Sequence, residues 1–399
     1  MNAMIDNHIW LFDTTLRDGG QTRGVDFSVS DKIAISQALD EFGIDYVEAG
    51  WPGANPTDDQ FFEKPPILKK SSLVAFGMTR RGGRSTENDP GFNAIINAQT
   101  DATCLVGKTW DFHVNTALNI SMDENLRMIK ESLQAASARG KEPMFDCEHY
   151  FDGFKSNSDF ALECVKAAFD GGAHWIILCD TNGGTLTDDV FEIVSKTKSF
   201  LPQANIGIHC HNDIGLAVAN TIAAIKAGAR QVQGTINGLG ERCGNADLIT
   251  LIPTLMLKLG YKTSIPEEKI SKLLSLSRMV DDRLNLVPNS HAPYVGSAAF
   301  AHKGGLHASA AQKDPRTYEH IPPETVGNER SFVISDQIGR SNVLARFSEV
   351  GIEIPEDDIR IEKLIRDIKE KEYNGWSFDS AEASFELLAR KALGQVPDY

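Results

Sequence analysis

Eight short apolar runs, rich in β-branched residues, recur through the first two-thirds of the chain and alternate with longer stretches of helical spacing. They begin at Ile9 (I-W-L-F-D-T-T-L), Asp45 (D-Y-V-E-A-G), Leu73 (L-V-A-F-G-M-T) and Ala102 (A-T-C-L-V-G-K). They continue at Pro143 (P-M-F-D-C-E), Trp175 (W-I-I-L-C-D-T), Ile206 (I-G-I-H-C-H) and Gln231 (Q-V-Q-G-T-I). Near-continuous apolar strands of this kind belong to a parallel sheet whose outer face is covered by helices. Between them, Ile35, Ala38, Leu39 and Phe42 fall at helical spacing after Ser28 and Ser30, and Gly43 follows. A serine before and a glycine after such a stretch mark the two ends of a helix. Ala161, Val165 and Ala168 repeat the pattern before Gly171, and Val218, Ile222 and Ile225 do so before Gly228. Eight β/α units in about 240 residues predict a TIM (β/α)8 barrel. No G-x-G-x-x-G follows the first run, so nothing favours an open dinucleotide-binding sheet instead.

The pattern changes after the eighth run. A helical stretch from Asn245 to Leu259 is followed by Pro266, Pro288 and Pro293, then by a segment dense in Gly and His from Phe300 to His307. From about Ile354 to Leu393 the chain reads as helical and charged. The expected organisation is a catalytic barrel over residues 5–265, then a linker and a small, mostly helical accessory subdomain over 266–399.

Composition narrows the function classes. Of 399 residues, 41% are hydrophobic and 24% charged, ordinary for a globular protein with a substantial core. The net charge of −15 speaks against nucleic-acid and anionic-membrane partners, whose phosphates need clustered Lys and Arg. Six cysteines lie far apart with no C-x-x-C pair, so a reducing compartment is expected. Met1 to Trp10 has neither a basic nor an apolar leader region, and no run approaches the ~20 apolar residues of a membrane span. The expectation is a cytoplasmic protein.

Polar residues gather where the barrel strands end, which is where TIM-barrel active sites are built. The first run closes on Arg17-Asp18, the fifth on Asp146 and Glu148, the sixth on Asp180-Thr181, and the eighth leads to Asn237, Glu241-Arg242 and Asn245. His209 and His211 are the sharpest signal. Residues two apart on a strand share a face, so both imidazoles can reach one ion, while Cys210 points to the helical layer. An isolated H-x-H is often two structural histidines; at a strand end opposite Asp18, a metal pair becomes the better reading. A mixed imidazole and carboxylate set with open positions suits an octahedral divalent ion that polarises an oxygen ligand, whereas a closed structural zinc site would favour cysteines. Arg17 offers a fixed cation for a carboxylate or an enolate, or else simply pairs with Asp18. Glu148 shares a face with Asp146 and is a base candidate or polar lining; Thr181 is a hydroxyl donor or a structural strand end. His302, Lys303 and His307 can present a base and a cation for a phosphate-bearing cofactor, or form an ordinary loop.

Three motifs carry a family resemblance: D-T-T-L-R-D-G at Asp13–Gly19, H-C-H-N-D at His209–Asp213, and G-L-G-E-R-C-G-N at Gly238–Asn245. They resemble the metal-dependent TIM-barrel acyl-CoA lyases and Claisen synthases, a family that includes 2-isopropylmalate, homocitrate and citramalate synthases and hydroxymethylglutaryl-CoA lyase. The resemblance implies Asp18, His209, His211 and Asn245 as metal ligands, with Mg²⁺ or Mn²⁺ expected and Zn²⁺ an alternative. It implies Arg17 on the oxo acid and enolate, Thr181 on the acid's carboxylate, and Glu148 and His307 in acid–base steps. It also implies a homodimer in which His307 serves the partner's barrel; with acetyl-CoA as the phosphate-bearing cosubstrate, His302 and Lys303 are its candidate contacts. The lyases' G-G-C-P-Y-like cysteine loop is absent, which favours synthesis over cleavage. The G-W-P-G-A-N-P run from Gly50, C-D-T-N-G-G from Cys179 and G-N-E-R from Gly327 look most like the citramalate branch. That branch condenses acetyl-CoA with pyruvate on the way to isoleucine. The alternatives are 2-oxoisovalerate or 2-oxoglutarate as the acceptor, a metal-dependent aldolase or lyase, and a silent binding protein. Longer relatives continue into a C-terminal regulatory domain, which is expected to be absent here.

Overall fold

The structure is a computed structural model, and it describes residues 7–379 and 381–396. The expected start of the barrel at residue 5 lies outside the described residues. Two compact units divide between residues 288 and 289.

In the first unit, eight parallel strands close into a barrel: β1 (Trp10–Asp13), β2 (Tyr46–Gly50), β3 (Ser72–Met78), β4 (Ala102–Lys108), β5 (Glu142–Glu148), β6 (Trp175–Asp180), β7 (Ile206–Cys210) and β8 (Gln231–Gly234). The eight apolar runs of the sequence are these eight strands. Closure is made by β8 against β1, with Leu11 opposite Val232 and Asp13 opposite Gly234. Phe12, Tyr46, Val74, Phe76, Met144, Trp175 and Ile177 form one buried cluster, so the barrel is filled rather than hollow.

The covering helices are α1 (Val29–Phe42), α2 (Pro56–Glu63), α3 (Pro90–Asn97), the single turn α4 (Asp111–His113), α5 (Met122–Ala138), α6 (Tyr150–Ser156), α7 (Ser158–Asp170), α8 (Thr187–Phe200), α9 (Ala217–Lys226), α10 (Leu248–Pro253) and α11 (Leu273–Leu284). α1 shows how locally these are specified. The Ser28 hydroxyl accepts from the Asp31 N–H, Asp31 answers on the Ser28 N–H, and Gly43 closes the helix at φ 113°. The serine and glycine read from the sequence are the two caps.

The proline-marked stretch after residue 265 differs from a plain linker. Pro266 starts a short 3₁₀ segment, and α11 follows directly with Leu273, Leu276 and Val280 buried. α11 packs on α1, which is why the compact barrel unit extends to residue 288 and not 265. Proline is compatible with a helix entrance, where its missing N–H costs nothing.

The second unit contains a two-stranded parallel pair, β9 (Ala301–His302) with β10 (Ser331–Phe332). Its helices are α12 (Gly305–Lys313), α13 (Arg340–Glu349), α14 (Ile359–Tyr373) and α15 (Glu382–Ala392). Its own core is built from Val343, Phe347, Ile361, Leu364, Ile368, Phe385 and Ala389. The charged stretch expected to be helical is α14 and α15, each with an apolar stripe turned inward. Among the described residues, no helix is long and apolar enough to cross a membrane.

Candidate metal centre and active site

The loop after β1 makes one tight turn, with the N–H groups of Arg17 and Gly19 both donating to the Thr14 carbonyl. That turn aims Asp18 back across the barrel mouth toward β7. Asp18, His209 and His211 each offer a ligand atom, all within 4.8 Å of one another, and all three side chains are buried. Asp18 Oδ2 lies 3.4 Å from His209 Nε2 and 3.7 Å from His211 Nε2, and the two Nε2 atoms are 3.3 Å apart. Two imidazole nitrogens converging with one carboxylate oxygen form a donor set suited to a divalent cation.

Orphaned polar atoms support the same conclusion. Asp18 Oδ1 and both side-chain polar atoms of Asn245 are buried without a hydrogen-bond partner. Buried polar groups left this way need an explanation, an ion being one. Asn245 is brought beside His211 by a short antiparallel bridge, because the loop after β8 lies along the end of β7. The Ala246 N–H donates to the Cys210 carbonyl, and the Asn212 N–H to the Gly244 carbonyl. Gly244 must be glycine here: its φ is 89°, and a Cβ would stand 2.0 Å from the Gly238 carbonyl oxygen. The carboxylate, two imidazoles and an amide therefore fit a hard or borderline divalent ion.

Electrostatics sharpens the assignment. Burial opposes the Asp18 charge, yet Arg17 and the two imidazoles outweigh it and hold Asp18 well below the usual carboxylate range. Burial, with His209 next to it, pushes His211 down to about 3, so His211 is neutral and able to donate its lone pair. His209 moves the other way: burial works against its charge, but Asp18 raises it. Its Nδ1 lies 2.8 Å from Gln233 Oε1, and Gln233 Nε2 donates in turn to Asp146 Oδ1 at 3.1 Å. A carbonyl oxygen on Nδ1 keeps the proton there and leaves Nε2 for a metal.

Arg17 is fixed from two sides. Its Nε donates to Glu48 Oε2 at 2.7 Å, and its guanidinium carbon sits 4.0 Å from the centroid of the Phe76 ring. Nη1 is 3.3 Å from Asp18 Oδ2. Glu48 is fully buried and also accepts from Thr14 Oγ1; burial, countered by Arg17, leaves its carboxyl above the ordinary value. Burial likewise raises Asp146. Glu148 takes Lys108 as its ion-pair partner. Thr181 Oγ1 accepts from the His149 N–H at 2.8 Å.

Arg17, Asp18, Glu148, Thr181, His209 and His211 line one cavity of about 280 Å³ at the C-terminal ends of the strands. A second cavity of about 320 Å³ shares Trp51, Met78 and Lys108 with it. His302, Lys303 and His307 belong to the other compact unit. There His302 Nε2 lies 3.0 Å from Glu319 Oε1, and Arg330 clamps the same carboxylate, so this imidazole is turned into its own unit. Lys303 borders a cavity with Asp336, Glu372 and Trp376. His307 is exposed on α12 with its ring centroid 4.2 Å from that of Tyr318.

Glu48, Lys108 and Gln233 were not singled out from the sequence as site residues. The available signal was a glutamate inside V-E-A-G and two glutamines inside Q-V-Q-G, polar residues in otherwise apolar strands.

The HMGL-like family model matches residues 8–280, and the homocitrate synthase post-HMGL domain-like model matches residues 294–374. The (R)-citramalate synthase of Aquifex aeolicus is 50% identical over 98% of this chain and 74% of its own length. That of Synechocystis is 48% identical, covering 97% and 72%. A probable 2-isopropylmalate synthase of Methanopyrus kandleri is 34% identical over 98% and 75%. In fold, the Bacillus subtilis HMG-CoA lyase superposes with a TM-score of 0.60 at 20% identity, covering 71% of this chain and 96% of the lyase. The chain belongs to the HMGL-like family and, within it, to the (R)-citramalate synthases.

Proposed function

We propose that this enzyme condenses acetyl-CoA with pyruvate, releasing (R)-citramalate and CoA, with Asp18, His209, His211 and Asn245 holding one divalent ion. The observation that carries the reading is the convergence of Asp18, His209 and His211 beside Arg17 in a cavity at the strand ends. Asp18, His209, His211 and Asn245 would hold Mg²⁺ or Mn²⁺ in preference to Zn²⁺, and the ion would supply Lewis-acid polarisation of the ketone. Thr181 Oγ1 donates to the oxo acid's carboxylate. Glu148 or His307 removes a methyl proton from the thioester. The enolate attacks the ketone carbon, and Arg17 lies ready for the negative oxygen that results. Water then cleaves the thioester.

Pyruvate is favoured over larger oxo acids on two grounds. The cavity of about 280 Å³ sits at the small end of ligand pockets, which suits a three-carbon acid. Five (R)-citramalate synthases are 42 to 50% identical to this chain, against 34% for a probable 2-isopropylmalate synthase and 32% for a putative (R)-citramalate synthase of the same Methanopyrus. The neighbouring cavity, with Arg80, Arg81 and apolar Phe92, Ile95 and Met128, gives a second substrate room beside the first. We place the enzyme in the cytoplasm, a reading that its six free cysteines support, and assign it a homodimer in which His307 serves the partner's barrel. His302, tied to Glu319, braces the segment carrying Lys303 and His307, and Lys303 is the residue of that segment directed to acetyl-CoA's phosphates.

The test is free-thiol release from acetyl-CoA with Mn²⁺ or Mg²⁺ and a panel of 2-oxo acids. Pyruvate should give the highest kcat/KM. Release that no oxo acid stimulates would overturn the synthase reading, and a preference for 2-oxoisovalerate or 2-oxoglutarate would overturn the choice of pyruvate.

A further inference from the structure

Five non-glycine residues of the barrel unit have left-handed backbone among the described residues: Asn119, His149, Asn237, Arg242 and Asn285. Asparagine adopts this conformation most readily; histidine does so less often and arginine rarely. The two that are not asparagine, His149 at φ 55° and Arg242 at φ 57°, both bond to the same residue, Thr181. The His149 N–H donates to Thr181 Oγ1 at 2.8 Å, and Arg242 Nη2 donates to the Thr181 carbonyl at 2.7 Å. Unusual backbone gathered at one point of a site is a pointer to function.

Each member is itself anchored. His149 Nδ1 is 3.3 Å from Asp152 Oδ2, an oxygen that also accepts from Asn182 Nδ2. The His149 ring lies 4.2 Å from that of His113, which in turn stacks on Trp110. Arg242 makes a two-pronged pair with Asp213. The loops after β4, β5, β6, β7 and β8 thus all bear on Thr181.

We propose that His149 and Arg242 are positioning residues that clamp Thr181 so that its hydroxyl proton faces the 2-oxo acid's carboxylate. A hydroxyl has one proton and two lone pairs. The His149 N–H occupies one lone pair and cannot receive the proton, so the proton is left for an acceptor in the cavity that Thr181 lines. His149 acts through its backbone N–H, which its left-handed conformation aims at Thr181 Oγ1. The proposal rests on Thr181 binding the carboxylate, as proposed above.

That division of labour sets the test. Alanine at position 149 keeps the N–H but disfavours the left-handed conformation about tenfold. His149→Ala should raise KM for the oxo acid about tenfold, with kcat and the KM for acetyl-CoA within about twofold. His149→Asn and His149→Gly, which accept that backbone, should return KM to within about threefold of the parent. Equal loss in all three variants would assign the effect to the imidazole and overturn the proposal, as would an unchanged KM in His149→Ala. Thr181→Val separates the two layers: it should raise KM by itself, and adding His149→Ala to it should do nothing more. If Thr181→Val leaves KM unchanged, the carboxylate contact fails and the clamp with it. If only Thr181→Val raises KM, the clamp alone fails. Should His149→Ala not fold, Arg242→Lys tests the clamp from the carbonyl side, and an unchanged oxo-acid KM there overturns it.

Discussion

Replacing Gln233 by methionine should weaken metal binding without touching a ligand. Gln233 is fully buried on β8, and its Oε1 is the partner of His209 Nδ1 at 2.8 Å. Methionine keeps the volume and removes the acceptor. A buried N–H left unpaired costs about 1–3 kcal/mol, so the proton is driven toward Nε2, the atom needed by the ion. Losing an outer partner of a metal-bound histidine typically lowers affinity about 10- to 100-fold, which is about 1.4–2.7 kcal/mol. The assay is Mn²⁺ titration of the stripped protein, followed by the signal of free Mn²⁺. Gln231→Met is the control: two residues earlier on the same strand face and equally buried, Gln231 has an Oε1 with no partner and does not touch His209. Its Mn²⁺ affinity should match the parent's. An unchanged affinity in Gln233→Met, or an equal fall in Gln231→Met, would refute the reasoning that Gln233 fixes the His209 tautomer.

Other consequences follow from packing and charge. Gly50→Ala should destabilise the barrel by about 3 kcal/mol in urea titration, because a Cβ there would stand 2.6 Å from the Asp58 carboxylate and disrupt its buried pair with Lys32. Phe385→Ala should cost the second unit about 3–5 kcal/mol, seen as a lower denaturation midpoint, since the ring is fully buried beside Phe347. Glu124 is brought from an ordinary 4.5 down to about 2, chiefly by the Arg80 guanidinium with Arg127 assisting. A depressed carboxyl stabilises the fold above its unfolded value and loses that contribution as pH falls toward the folded one. The gap in Tm between the parent and Glu124→Gln should therefore be widest above pH 5 and narrow as pH drops toward 3; a gap independent of pH would remove the ion pair from the explanation.

Where the strands lie was legible because each is an apolar run bounded by a cap or a turn, as Ser28 and Gly43 are for α1. His209 and His211 were legible because strand periodicity places residues two apart on one face. Glu48 was hidden, since nothing local in V-E-A-G says that Arg17, thirty-one positions earlier, is its partner. The clamp on Thr181 was hidden for the same reason: backbone conformation at His149 and Arg242 is fixed by contacts among five separate loops. α11 was hidden by Pro266, which reads equally as a linker or as a helix entrance until α1 is seen beneath it. Short-range rules located elements and the shared face of His209 and His211; pairings made by closure of the barrel required the structure.

The most direct measurement is citramalate formation from acetyl-CoA and pyruvate by protein stripped with a chelator and then titrated with Mn²⁺, run in parallel on His209→Ala. The parent should lose turnover on stripping and regain it as about one ion per chain binds, while His209→Ala stays inactive yet folded. Citramalate formed at an undiminished rate by the stripped protein, or by His209→Ala, would contradict a reaction centred on Asp18, His209 and His211.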